Sequence, residues 1–317
     1  MQVVHDAMNA GDVPRGVIAT IGNYDGIHLG QREVLDLVKA RGVETGFPTA
    51  VVTFEPHPRS VLRPESTVPL LTTQRQKEAI LDELGIDVVL VIRFTTEFSR
   101  LPARTFVRDF LHRTLDAKEI YVGSRFSFGH DRGGDLSLLR QMGDSFGFSA
   151  TAVDEVEMLG DAVSSTRIRH ALLEGEVGEA RELLGRPYSI TGLIARGDRM
   201  GKRLGWPTIN VVADNDLVPD DGVYSCRVHF PTFPATFDAV TNIGTRPTVY
   251  ENYQRVVESH ILDFNADVYG ERVDLSFFKR LREERIFPSM MDLSAQIGRD
   301  VERARSYFAS LQEAEPR

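Results

Sequence analysis

The 317-residue chain has a single cysteine, Cys226, so no internal disulfide can staple it. A lone thiol suits a reducing compartment, and Cys226 stands in an apparent strand at 222–228, where a small core residue is expected. Long apolar runs are missing too: no stretch approaches the roughly 20 residues that cross a bilayer. The opening Met1-Gln2-Val3-Val4-His5-Asp6 lacks the basic start and apolar stretch of a secretion signal, so a cytoplasmic location without a membrane partner is expected. Positive charge is in deficit, 37 Lys and Arg against 46 Asp and Glu, for a net charge of -9. A dedicated nucleic-acid binder would show a basic face, so no nucleic-acid partner is expected, and anionic ligands would need local basic sites. Internal repeats and low-complexity stretches are also absent.

The composition that remains is globular, 42% hydrophobic and 26% charged, in a chain long enough for two cores. Across 1–185, β-branched runs at 17–21, 49–54, 88–92, 119–123 and 149–153 alternate with helical segments at 31–41, 74–84, 103–111, 135–142 and 166–173. That alternation predicts a parallel sheet with crossover helices. Thr72 or Thr73 can cap the second helix, and Gly85 can stop it. Across 186–317 the rhythm changes to short strands at 188–194, 208–212, 222–228, 238–243, 256–262 and 272–278, divided by glycine-marked turns. Six such strands predict a small antiparallel barrel. Leu293, Ile297, Val301 and Phe308 recur at helical spacing, so a helix at 291–311 should pack on it. The fold class is α/β, a parallel-sheet domain over 1–185 followed by an antiparallel barrel with a terminal helix over 186–317.

The richest segment runs from Val17 through Gly22-Asn23-Tyr24-Asp25-Gly26-Ile27-His28-Leu29-Gly30-Gln31. A β-branched strand breaks into a glycine turn, and a helix follows whose free N–H groups face the turn, a layout that suits an anion. An imidazole at the start of that helix can donate to charge on a transferring phosphoryl group. Ser164-Ser165-Thr166-Arg167-Ile168-Arg169 reads equally as a plain helix cap or as a phosphate-holding start. Phe54-Glu55-Pro56-His57-Pro58 reads as a rigid turn or as a pocket wall.

Together with Gly205-Trp206-Pro207-Thr208-Ile209-Asn210, Asn242-Ile243-Gly244-Thr245-Arg246-Pro247-Thr248 and Glu258-Ser259-His260, these motifs resemble the prokaryotic bifunctional riboflavin kinases and FAD synthetases over nearly the full length. The resemblance implies a Rossmann-like FMN adenylyltransferase domain and a riboflavin kinase-like barrel. Both would use ATP and Mg²⁺, with riboflavin, FMN and FAD as ligands. It assigns His28 and Arg167 to catalysis of adenylyl transfer, and Gly22, Asn23, Asp25, Gly30, Gln31, Ser164, Ser165, Thr166 and Arg169 to ATP phosphates. Phe54, Pro56, His57, Pro58, Arg125 and Phe128 would wall the flavin in that domain. In the barrel, Gly197, Gly201 and Lys202 would cover ATP, Asn242 and Arg246 would hold the flavin, and Glu258 would be the general base. Thr208 and Asn210 alternate along a strand, so both face one side and can offer oxygens to Mg²⁺.

Four positions depart from the related pattern. Gln31 stands for the second histidine of H-x-G-H and carries no charge. Arg125 stands before Phe126 in a place usually neutral or acidic. Tyr24 for Phe and Ile209 for Ala are mild. Two functions therefore stand beside the bifunctional one: a riboflavin kinase with an inactive or re-purposed first domain, and a flavin-binding regulatory protein without turnover.

Overall fold

The computed structural model describes residues 1–5, 13–66, 68–197, 200–246 and 254–314, with Met200, Lys202, Arg246, Gln254 and Ala314 described in backbone only. The roles expected of the Lys202 and Arg246 side chains, and the segments 198–199 and 247–248, fall outside the described residues. The chain divides into two compact units, Met1–Ser165 and Thr166–Arg317.

The first unit is a six-stranded sheet in the order β1-β4-β3-β2-β5-β6. Its strands are β1 (Gln2–His5), β2 (Ile18–Ile21), β3 (Thr49–Glu55), β4 (Val88–Arg93), β5 (Glu119–Gly123) and β6 (Ser149–Val153), and every pairing is parallel. All of β2 and Val88 to Ile92 of β4 are buried, as helices on both faces of a parallel sheet require. The edge strand β1 is an addition to the expected set, since four residues carry too little periodicity to stand out.

The helices are α1 (Leu29–Thr45), α2 (Pro58–Leu62), α3 (Gln74–Glu83), α4 (Thr96–Ser99), α5 (Ala103–Phe106) and α6 (Leu136–Phe146), with α5 running on as a π-helix over Val107–Thr114. Thr73 caps α3 in a reciprocal box with Gln76, and Gly85 follows at φ 76 in the left-handed region. A two-residue hairpin, β7 (Glu157–Met158) with β8 (Asp161–Ala162), leads out of the sheet. From β2 the chain steps through β3 to β4 on one side and to β5 and β6 on the other. The carboxyl ends of β2 and β5 therefore flank the switch point where open sheets bind ligands.

The second unit carries α7 (Ser165–Leu173), α8 (Val177–Leu184), β9 (Tyr188–Ala195), α9 (Met200–Arg203), β10 (Ile209–Ala213), β11 (Gly222–His229), β12 (Thr236–Arg246), β13 (Gln254–Ile261), β14 (Arg272–Arg282) and α10 (Met290–Ala314). The strands close into an antiparallel barrel in the order β10-β13-β12-β11-β14-β9, which leaves no open edge. The boundary expected near residue 186 marks the first barrel strand, but packing moves the division to Ser165/Thr166. The reason is local: the Leu172 carbonyl accepts from the Asp220 N–H at 2.9 Å, Arg280 donates to the Glu174 carbonyl at 3.1 Å, and α8 lies on β9 and β14.

Cys226 is a buried core residue, and its burial pushes the thiol far up. Val301 and Ala304 of α10 pack with Val223, Val240 and Leu262 of the barrel, and Phe308 meets Phe278 edge-on at 5.3 Å.

Candidate active sites

In the first unit a cleft of about 230 Å³ opens at the switch point, lined among others by Gly22, His28, Gly30, Gln31, Gly123 and Arg125. The turn from β2 into α1 is strained: Tyr24 has φ 49 and the β-branched Ile27 has φ 43, a region that L residues with bulky side chains avoid. Burial over-determines it. Both side chains are within the core, and the Tyr24 hydroxyl shares a 2.6 Å hydrogen bond with Thr20 Oγ1. The turn is also pinned from outside: Asp25 Oδ1 accepts from the Leu71 N–H at 2.8 Å, its carbonyl accepts from Ser165 Oγ at 2.8 Å, and the Gly26 N–H donates to Thr72 Oγ1 at 3.3 Å.

Asp25 is thus a buried anchor of the turn. Lys77, buried on α3, lies in the field of Glu55 and Asp25; burial pushes its ammonium pKa down and the two carboxylates oppose that shift. Nothing in the pattern of the sequence singled out Lys77, because a lysine on an amphipathic helix reads as solvated. Asn23 contributes its carbonyl to Thr53 Oγ1 at 3.3 Å.

His28 is the N-cap of α1 and is 8% exposed. Its Nδ1 accepts from the Gln31 N–H at 3.3 Å, and Gln31 Oε1 accepts from the His28 N–H at 3.3 Å, a complete capping box. A Cβ built on Gly30 would stand 3.4 Å from His28 Cε1 and Nδ1, so the imidazole sits against a helix residue that has no side chain. Arg125 reaches over the cleft in an ion pair with Glu155 at 2.5 Å, and its side chain is 79% exposed.

The residues expected to wall a flavin divide. Phe54 packs on Phe106 at 6.3 Å and Phe106 on Phe128 at 5.6 Å, so Phe54 and Phe128 are joined in one aromatic core cluster. Phe126, stacked on Phe128 at 5.4 Å, is the ring of that cluster that also lines the cleft. His57 is the N-cap of α2, its Nδ1 accepting from the Arg59 N–H at 3.1 Å, with Pro58 at the first helical position after Pro56. Ser164 precedes α7, and Ser165 and Thr166 form its first turn. Arg167 and Arg169 belong to the second unit, where Arg167 pairs with Glu179 at 2.9 Å and Arg169 is buried.

In the second unit the barrel register builds the site. Asn210 of β10 stands opposite Glu258 of β13, and Glu258 stands opposite Asn242 of β12. Directly opposed residues on antiparallel strands share a face, so the three polar side chains form one row. Thr208 stands one residue before β10. A pocket of about 540 Å³ is lined by Thr208, Asn242, Glu258, His260 and Arg282, among others. Gly201 lines it, and Gly197 stands against Asn210. A Cβ on Gly201 would lie 2.3 Å from the Trp206 carbonyl and 3.1 Å from Thr208 Oγ1, and one on Gly197 would lie 2.3 Å from Asn210 Nδ2. Trp206 is a pocket wall, with Nε1 donating to Ser294 Oγ at 3.1 Å.

Two further groups of this pocket were not assigned from sequence. His260 Nδ1 donates to the Pro207 carbonyl at 2.7 Å and its ring meets Trp206 edge-on at 5.4 Å, which ties β13 to the turn before Thr208. Arg282 pairs with the buried Asp300 of α10 at 2.9 Å, and Gln296 Nε2 donates to the second Asp300 oxygen at 2.7 Å. Only alternation along β14 marks Arg282, and only the docking of α10 supplies its partner.

Comparison with known proteins separates the same two halves. The FAD synthetase family model matches residues 11–167, and the riboflavin kinase family model matches residues 184–308. The bifunctional riboflavin kinase/FMN adenylyltransferase of Escherichia coli K12 is 36% identical over 309 residues, 97% of this chain and 98% of that one. Its namesake from Pseudomonas fluorescens is 39% identical, covering 98% of each chain. A solved Streptococcus pneumoniae structure bearing the name macrolide-efflux protein superposes with a TM-score of 0.87 at 28% identity, covering 96% of this chain and 98% of its own. Among the described residues no helix is long and apolar enough to cross a membrane. Identity at this level along almost the whole of both chains, with a separate match in each half, leads to one assignment: the chain belongs to the bifunctional riboflavin kinase/FMN adenylyltransferase family.

Proposed function

We propose that the barrel phosphorylates riboflavin to FMN and that the parallel-sheet unit adenylylates FMN to FAD, with ATP as the nucleotide in both steps. The observation that carries this reading is the row Asn210, Glu258 and Asn242 set by strand register, beside a pocket that Thr208, Asn242 and Glu258 line. In the first step the riboflavin 5′-hydroxyl oxygen attacks the γ-phosphorus of ATP and ADP leaves. Glu258 accepts the hydroxyl proton as that bond forms. In the second step an FMN phosphate oxygen attacks the α-phosphorus of ATP, and the bond to pyrophosphate breaks. His28 and the N–H groups at the start of α1 donate to the charge that develops there.

The Thr208 hydroxyl and the Asn210 amide oxygen are hard, neutral donors, a set suited to Mg²⁺ that arrives on ATP phosphates and keeps most of its waters. The fit is supported by Gly197 and Gly201, whose missing Cβ atoms leave room at those two side chains. Bound there, Mg²⁺ would supply neutralisation of phosphate charge.

A time course of flavin products, started separately from riboflavin and from FMN with excess ATP and Mg²⁺, tests the proposal. FAD is expected from both substrates. FMN accumulating from riboflavin, with no FAD from either, would confine catalysis to the barrel. That second reading draws on the Arg125–Glu155 pair over the cleft and on the neutral Gln31 beside His28.

A further inference from the structure

We propose that Gln31 is a positioning residue for His28: it fixes the imidazole in the tautomer that carries its proton on Nε2, so the ring serves as a neutral, oriented hydrogen-bond donor. The catalytic meaning of this rests on the reading in which His28 faces the ATP phosphates; the tautomer itself does not.

Donor logic settles which nitrogen bears the proton. The atom at 3.3 Å from His28 Nδ1 is the Gln31 backbone nitrogen, which can only donate and shares its N–H between Nδ1 and the His28 carbonyl at 2.8 Å. Nδ1 is therefore the acceptor, and a neutral ring must hold its proton on Nε2. The return arm comes from the Gln31 side chain, whose Oε1 accepts from the His28 N–H. Each residue thus holds the other, and the box closes only when the position three after the cap can reach back with an acceptor. The ring is seated on Gly30, where a Cβ would already lie at 3.4 Å, and it is almost fully buried, so few other orientations exist for it. His28, Gly30 and Gln31 all line the same cleft.

This changes what the departure from H-x-G-H means. A second histidine would offer another donor for phosphate charge. Glutamine gives up the charge that a second imidazolium could carry, keeps a neutral donor in Nε2, and uses its Oε1 to hold the first histidine. A neutral N–H···O bond is weaker than a charge-assisted one, so orientation must supply what charge does not.

Nitrogen-15 spectra of the histidine rings in the full chain, with His28 identified from its loss in His28→Ala, test the inference directly. The wild type should show Nε2 protonated. Gln31→Ala keeps the backbone N–H but removes the return arm that holds the first turn closed; with that turn free to fray, the N–H at position 31 no longer stays on Nδ1 and a mixture of tautomers should appear. It should also lower kcat for FMN adenylylation about tenfold while the KM for ATP moves less than about twofold, the signature of lost orientation rather than lost binding. Gln31→Glu keeps an acceptor at the third position and should restore the single tautomer, although its charge raises the KM for ATP. Thermal midpoints of both variants report whether the fold persists. A wild-type ring protonated on Nδ1, or an unchanged tautomer and kcat in Gln31→Ala, would overturn the inference. A fixed tautomer in the wild type that becomes mixed in Gln31→Ala supports it even if His28→Ala leaves FAD formation intact, an outcome that would sink only the phosphate reading.

Discussion

The two pockets of this chain are built by opposite means. In the first unit the groups that face the cleft hang from a turn and a helix start, between the ends of neighbouring parallel strands. Burial and long-range pins such as Asp25 to Leu71 hold their positions against backbone strain, with Tyr24 and Ile27 at positive φ. In the second unit Asn210, Glu258 and Asn242 sit on paired strands of a closed barrel, where the ladder itself sets their spacing. A ladder tolerates sequence change around it, because backbone hydrogen bonds keep register whatever the neighbouring side chains are. A strained turn depends on each of its pins. The positions that depart most from the related pattern, Gln31 and Arg125, both lie in the first cleft, where each has acquired a partner: His28 for one, Glu155 for the other.

The contrast can be broken at several points. Glu258→Gln should lower FMN formation from riboflavin about a thousandfold while FMN is still converted to FAD. Equal loss of both activities would show that the pockets are not independent. Asp300→Ala should destabilise the barrel by up to about 3 kcal/mol, since the half-buried Arg282 then loses its carboxylate and keeps the Glu283 carbonyl, and denaturant melts would report it.

His28→Ala should lower FAD formation from FMN about 100-fold and leave FMN formation from riboflavin in place. A loss confined to KM would shift its role from donor to ligand contact. Gly201→Ala puts a Cβ 2.3 Å from the Trp206 carbonyl and should displace the Thr208 segment, with kcat of the kinase step down about tenfold and Mg²⁺ dependence weakened. Arg125→Ala removes a largely exposed ion pair, worth less than about 1 kcal/mol. It should change the KM for FMN less than about fivefold and make it less sensitive to salt, by steady-state kinetics at two ionic strengths.

Much of the fold was legible in the chain. The β-branched runs fall on β2 to β6, and the change of rhythm after residue 186 falls on the six barrel strands. Hydrophobic period is a local property, and burial on both faces of β4 reads directly from Val88-Val89-Leu90-Val91-Ile92. Thr73 as cap of α3 follows from side-chain chemistry a few residues away. Less legible were β1, α8 and the π-helical continuation of α5, where short length or tertiary packing outweighs local preference.

The sites divide in the same way. The two-residue spacing of Thr208 and Asn210 is a property of the chain itself, although the strand begins only at Ile209. That Glu258 stands opposite Asn210 depends on the register between β10 and β13, which no local pattern states. The resemblance assigns Phe54 and Phe128 to a flavin wall; that both also meet Phe106 is a contact between distant segments that no local pattern states.

By itself the sequence determined the element types, the two-part organisation and the motif that brings His28 to a helix start, since these rest on interactions a few residues apart. Tertiary structure alone decided that Ser165 and Leu71 pin the Asp25 turn, that Asp300 of α10 neutralises Arg282, and that Arg125 finds Glu155. Those contacts join segments far apart in the chain, so their partners meet only once the fold has brought those segments together, and only the buried ones among them also gain from the exclusion of water.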